Sequence, residues 1–120
     1  EEALESMLDD GVEVIYIPVD KYMLSNIDMV VDFSLKHKIP VFCGNKTMLD
    51  KGCFATRVIN YQAIGNKVSE MVVNVLVNGA DISKMPVSYD NDCDLYINQS
   101  TLSKLGVTIP ADIAPTAAYS

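Results

Sequence analysis

The sequence predicts an α/β fold, a three-layer α/β/α arrangement around a mainly parallel sheet. Three observations carry that expectation. Short apolar runs rich in β-branched residues, residues 12–17 first among them, suit strands buried on both faces of a parallel sheet. Each run is followed by a stretch whose apolar residues recur at helical spacing, as over 24–37 and 61–78. Pro18, Gly44 and Asn60 punctuate the strand ends, where the chain must turn from one element into the next. With 120 residues, 49% of them hydrophobic and 21% charged, the chain has the size and composition of one globular domain.

Residues 1–10 read as the last turns of an amphipathic helix, with Ala3, Leu4, Met7 and Leu8 on one face and Gly11 as its stop. No strand precedes it, so a βαβ unit is entered midway and the chain is expected to be a piece of something longer. Pro18 ends the first strand because it lacks an N–H for the ladder. Asp20 and Lys21 follow at that strand's carboxyl end, the edge at which open α/β sheets bind ligands. Ser25-Asn26-Ile27-Asp28 fits a capping box with Asp in place of Glu. Lys36, His37 and Lys38 put positive charge at the end of that helix, where its dipole favours it. The single histidine, His37, is therefore expected to be a solvated residue of the last turn.

Residues 39–43 form a second buried strand, ended by Gly44-Asn45. A helical turn over 46–50 stops at Gly52, and 54–59 form a third strand leading into Asn60-Tyr61. The longest helix spans 61–78 with Ile64, Val68, Met71, Val72, Val75 and Leu76 inward and Gly79 closing it. Gly65 in its first turns is explained by close packing on the sheet as well as by a ligand. Beyond Ala80 the sequence predicts a turn over 81–86, an extended piece over 87–89, a strand over 94–98 and a helix over 100–105 stopped by Gly106. Residues 111–120 are Ala/Pro-rich and expected to fray.

A formal net charge of −7 argues against nucleic acid as partner, since phosphate binding needs clustered Lys and Arg. No apolar run approaches the roughly 20 residues that span a bilayer, and the opening Glu1-Glu2-Ala3-Leu4-Glu5 is the reverse of a basic signal-peptide start. Cys43, Cys53 and Cys93 form no CxxC pair and no zinc spacing, and read mainly as small buried apolar residues. There is no GxSxG, HExxH, P-loop or GxGxxG, so neither catalysis nor a cofactor is expected.

Three strand-to-helix junctions carry polar residues: Pro18-Val19-Asp20-Lys21, Gly44-Asn45-Lys46 and Asn60-Tyr61. If the strands are parallel these junctions share one edge of the sheet. A carboxylate, two amides, an aromatic ring and a lysine suit a small zwitterion. Asp20 would take an ammonium, the amides and helix N–H groups a carboxylate, and the ring of Tyr61 an apolar side chain. Plain capping is the competing account of Asn45 and Asn60, a surface turn that of Asp20, and packing that of Tyr61.

Tyr16-Ile-Pro-Val-Asp20, Lys38-Ile-Pro-Val-Phe-Cys-Gly44, Asn60-Tyr61 followed by Gly65, and Leu95-Tyr-Ile-Asn98 with Thr101 and Leu105-Gly106-Val-Thr-Ile-Pro110 resemble the ABC transporter substrate-binding protein family of the tryptophan/tyrosine-binding type. The resemblance covers residues 11–110. It implies part of a two-lobed, periplasmic-binding-protein-like (type I) fold that closes on ligand like a hinge. Residues 1–79 would be the second half of the C-terminal lobe, 80–110 a return segment across the hinge, and 111–120 a flexible tail. Asp20 would face the ligand and bind an amino group, with Asn45 and Asn60 lining the same cleft. The family's loop usually reads Pro-Thr-Asp-Asn, where Val19 and Lys21 stand here, and often has Asp where Asn60 stands, which alters what the cleft accepts. The function implied is capture of an amino-acid-like ligand, aromatic or not, for an ABC permease, on an extracytoplasmic or lipid-anchored protein. The alternatives are a ligand-sensing effector domain of a regulator on the same fold and, further off, a flavodoxin-like enzyme. An exposed sheet edge would also favour self-association.

Overall fold

The computed structural model describes residues 2–89 and 93–120. The chain forms two units, one of Glu1–Val58 with Asp94–Ser120 and the other of Ile59–Cys93. The strands are β1 (Ile15–Ile17), β2 (Val41–Cys43), β3 (Ala55–Ile59), β4 (Cys93–Ile97) and β5 (Ala117–Tyr119), in that spatial order. The β1/β2, β2/β3 and β4/β5 pairings are parallel, with Ile17 beside Cys43 and Cys43 beside Thr56. The fold is thus α/β with a mainly parallel five-stranded sheet.

In the first unit, α1 (Glu2–Asp9) precedes β1, α2 (Lys21–Ser25) and α3 (Ile27–His37) link β1 to β2, α4 (Lys46–Asp50) links β2 to β3, and α6 (Gln99–Leu105) links β4 to β5. Alternation along β1 and β2 sends Ile15, Ile17, Val41 and Cys43 to one face of the sheet. There they join Ile27, Val30 and Phe33 of α3 and Met48 and Leu49 of α4 in the main core. A second cluster gathers Phe54, Ala55, Ile97 and Leu105. Two side chains of the β4–α6 junction clip the unit together: Asn98 Nδ2 donates to Leu49 O at 3.0 Å and Thr101 Oγ1 to Gly52 O at 2.9 Å.

Several expectations are corrected here. Strand β1 is not buried on both faces: it is the end strand of the sheet, and Tyr16, between buried Ile15 and Ile17, is 67% exposed. An apolar run marks a strand without saying how many faces are covered. The capping box at 25–28 does not form. A separate helix, α2, occupies 21–25, and Asn26, at the start of α3, donates Nδ2 to Tyr22 O at 2.8 Å instead of capping. Residues 111–120, expected to fray, form a 3-10 turn (Ala114–Thr116) and β5, which is held by Ser120 N to Ile97 O and Gln99 N to Ser120 O, each at 3.0 Å. Glu1 of the expected first helix lies outside the described residues.

The second unit is α5 (Tyr61–Leu76) and a 3-10 turn (Ile82–Lys84) capped by Asp81. The helix exists where its period predicts, but its apolar stripe is not inward: none of its residues is buried, and Leu76 is 78% exposed. Helical period identifies which face is apolar and is silent on what covers it. Close packing does not explain Gly65 either, since a Cβ added there would meet nothing within 4 Å.

Candidate functional site

Every strand-to-helix junction uses the same local device. Asp20 Oδ1 accepts from Met23 N at 2.9 Å, Asn45 Oδ1 from Met48 N at 2.9 Å, Asn60 Oδ1 from Ala63 N at 3.0 Å and Asn98 Oδ1 from Thr101 N at 3.0 Å. Asp and Asn are favoured at this position because the short side chain reaches the third helical N–H, one of the four donors left unsatisfied at a helix start. The capping account of Asn45 and Asn60 is therefore present in the structure, and Asp20 is a cap as well.

Parallel pairing puts the ends of β1 and β2 level, so Asp20 and Lys21 leave the sheet at the same edge as Asn45. The two loops touch. A Cβ added to Gly44 would lie 2.8 Å from Val19 Cγ2 and 2.9 Å from Val19 N, so a hydrogen at this position is what lets the β1–α2 loop lie against the β2–α4 loop. The loops that carry Asp20, Lys21 and Asn45 thus lie side by side. Asn60 and exposed Tyr61 open α5 in the other unit. Lys46, beside Asn45, is turned to the protein: its Nζ lies 3.4 Å from Asp50 Oδ1 and 4.6 Å from the centroid of the Tyr96 ring.

Two aromatics near these loops are not among the site residues read from the sequence. Tyr16 and Tyr22, both exposed, line an apolar groove of about 400 Å³ with Met7, Pro18, Met23 and Met29. Their signal in the sequence is an aromatic within four residues of Asp20 on either side. A larger hollow of about 790 Å³ is lined among others by Tyr16, Phe42, Gly44, Arg57, Leu95 and Ile109.

His37 is not the solvated residue expected. It is half-buried with its ring 4.5 Å from that of Phe33, one helical turn back, and its Nε2 is buried without a hydrogen-bond partner among the described residues. Cys43 and Cys53 are buried, as expected of small apolar residues, and all three cysteines are free thiols. The hydrogen bond from Cys53 holds the Cys43 thiol below its ordinary value, and the same bond, with burial, pushes the Cys53 thiol well up. Among the described residues no three of His, Cys, Asp and Glu cluster as metal ligands, and no helix is long and apolar enough to cross a membrane.

A mainly parallel sheet with helices between its strands is an open α/β arrangement, the class of fold in which ligands, where bound, lie at the carboxyl ends of the strands. The sequence model of the ABC transporter substrate binding protein family matches residues 1–119, and the chain belongs to that family. A tyrosine-binding protein of Clostridioides difficile (strain R20291) is 28% identical over 100 residues, 83% of this chain and 29% of that protein. The ligand-free, open structure of a substrate-binding protein with adhesive properties from Clostridium difficile is similar with a TM-score of 0.87 and 31% identity, over 99% of this chain and 39% of that one. An ABC domain in complex with L-Trp from Streptococcus pneumonia is similar with a TM-score of 0.66 and 27% identity, over 98% of this chain and 39% of that one. The chain thus spans between about three tenths and two fifths of the length of these relatives.

Proposed function

We propose that these residues form part of an extracytoplasmic solute-binding protein that captures a small amino-acid-like molecule for an ABC importer and does no chemistry on it. The observation that carries the reading is the meeting of the Asp20 and Asn45 loops at the carboxyl ends of two paired parallel strands. Asp20 takes the ammonium, Asn45 and the helix N–H groups take the carboxylate, and Lys21, Asn60 and Tyr61 line the same cleft in the complete protein. The tyrosine-binding relative and the L-Trp complex favour an aromatic amino acid. Residues 1–79 belong to the C-terminal lobe and 80–110 to a segment returning across the hinge. The permease is the protein partner, and extracytoplasmic placement follows the habit of the family. Strand β1, at the end of the sheet, lets the isolated chain associate with a second copy; a monomeric mass by light scattering at high concentration would rule that out.

The test is calorimetric titration of the complete binding protein carrying these residues with tryptophan, tyrosine, phenylalanine and leucine, beside Asp20→Asn. Asparagine caps a helix as well as aspartate does, so this variant keeps the junction and removes the charge. Tight binding that Asp20→Asn abolishes is the expected result. Unchanged binding in the variant returns Asp20 to a capping role alone, and no binding to any of the four overturns the ligand class.

A further inference from the structure

We propose that Asn78–Gly79, just past the carboxyl end of α5, is a spontaneous modification site. The Asn78 amide closes on the backbone, loses ammonia and leaves aspartate or isoaspartate. Asn78 is the only asparagine in the sequence followed by glycine. The attacking group in this closure is the next residue's backbone nitrogen, and glycine, without a Cβ, leaves that nitrogen unshielded and free to rotate into reach. Both residues are exposed and lie beyond Leu76, the last residue of the helix. The neighbouring nitrogens are engaged: Val77 N and Asn78 N donate to Val73 O at 2.9 and 3.3 Å, and Ala80 N donates to Asn74 O at 3.0 Å. Gly79 N has no hydrogen-bond partner among the described residues, so no bond must break before it attacks. The Asn78 side chain donates Nδ2, the leaving nitrogen, to Asn74 Oδ1 at 2.9 Å, which holds the amide without engaging the carbonyl that is attacked. The other asparagines are placed differently. Asn66 and Asn74 lie inside α5, where the ladder holds the next N–H. Asn45, Asn60 and Asn98 use their side chains as caps, and Asn26 precedes fully buried Ile27. Asn91 lies outside the described residues.

The step needs only water as co-reactant. Gly79 N loses its proton to hydroxide and attacks Asn78 Cγ, the bond from Cγ to Nδ2 breaks, and ammonia leaves with a proton, giving a five-membered succinimide. Water then opens the ring. Attack at Cγ restores the backbone as aspartate, and attack at the main-chain carbonyl carbon reroutes the chain through Cγ as isoaspartate. One amide and one water become one carboxylate and one ammonium.

Both products loosen the end of α5. A carboxylate at a helix carboxyl terminus meets the negative end of the dipole, and the last turn of α5 holds no basic residue to offset it. Isoaspartate also lengthens the backbone by one carbon just where Gly79, at φ +69°, turns the chain so that Ala80 N reaches Asn74 O. The proposal stands independently of any ligand.

The experiment incubates the native 120-residue chain in mildly alkaline and in acidic buffer and maps its peptides by mass spectrometry over time. A free peptide of residues 72–84 sets the rate of an unrestrained pair. The expected result is that the Asn78 peptide exchanges –NH2 for –OH before any other asparagine does, faster in the alkaline buffer, and splits into two chromatographic forms. Asn78→Gln, whose ring would be six-membered, remains unchanged under the same conditions. Helical circular dichroism falls in step with the conversion, and Asn78→Asp, which adds the charge without the longer backbone, shows part of that fall. Asn78 remaining an amide in the native chain while the peptide converts overturns the proposal, as does earlier conversion at another asparagine. Conversion with unchanged helical signal overturns the link to α5.

Discussion

The contact between the two site loops can be tested at Gly44. Gly44→Ala places a Cβ 2.8 Å from Val19 Cγ2 and 2.9 Å from Val19 N, where approaches under 3.4 Å already force the neighbour to give. The Val19 side chain is 66% exposed and can swing away. Its backbone N cannot, so the β1–α2 loop must retreat by about 0.5 Å, at an overpacking cost of about 1–3 kcal/mol. Gly44 is not in the left-handed region, so alanine returns about 0.4–1 kcal/mol by restricting the unfolded chain. The net expectation is a loss of between about 0 and 2.6 kcal/mol, centred on about 1.3, read as a lower midpoint in guanidinium unfolding with unchanged slope. Adding Val19→Ala relieves the Cγ2 contact and leaves that to N, so it recovers a part of the loss and no more. Gly65→Ala is the control: a Cβ there meets nothing within 4 Å and the residue is helical. It should strengthen α5 by about 0.5–1 kcal/mol, seen as helical circular dichroism persisting to higher temperature. A Gly44→Ala chain more stable than the parent would refute the reasoning that the two loops are in register through this contact.

Other outcomes follow from the same structure. Asn98→Ala removes both a cap and the bond to Leu49 O, so it should cost about 1–3 kcal/mol in denaturant unfolding, more than the about 1 kcal/mol of a cap alone. Ile27→Ala, at a fully buried position, should cost about 2–5 kcal/mol, whereas Leu76→Ala, 78% exposed, should stay within about 0.5 kcal/mol; a large loss at Leu76 would mean that α5 is covered in solution. The Ser83 hydroxyl and N–H, with Lys84, hold the exposed Asp81 carboxyl below its ordinary value. A depressed folded pKa adds stability above the unfolded value that disappears as pH falls through the folded one, so acid should loosen the turn at 81–84. A carboxyl titration followed by NMR should show a low midpoint for Asp81 that Ser83→Ala raises.

What could be read from the residues alone was what is local. Helix starts at Lys46, Tyr61 and near Ser100, stops at Gly11 and Gly106, and the three strands between were legible because caps, left-handed glycines and apolar runs act within a few residues. The same locality made the Asx residues ambiguous, since a helix cap and a ligand contact ask for the same side chain in the same place. Asp20 was singled out correctly as a junction residue, while α2, the helix it caps, was missed because five residues carry too little period to see. Tertiary structure alone decided the rest. It left Tyr16 and the α5 stripe exposed and gave residues 117–119 a strand partner in β4. Each of these depends on which distant segment lies alongside. Periodicity and propensity do not encode that choice; the burial of one element's apolar face against another makes it.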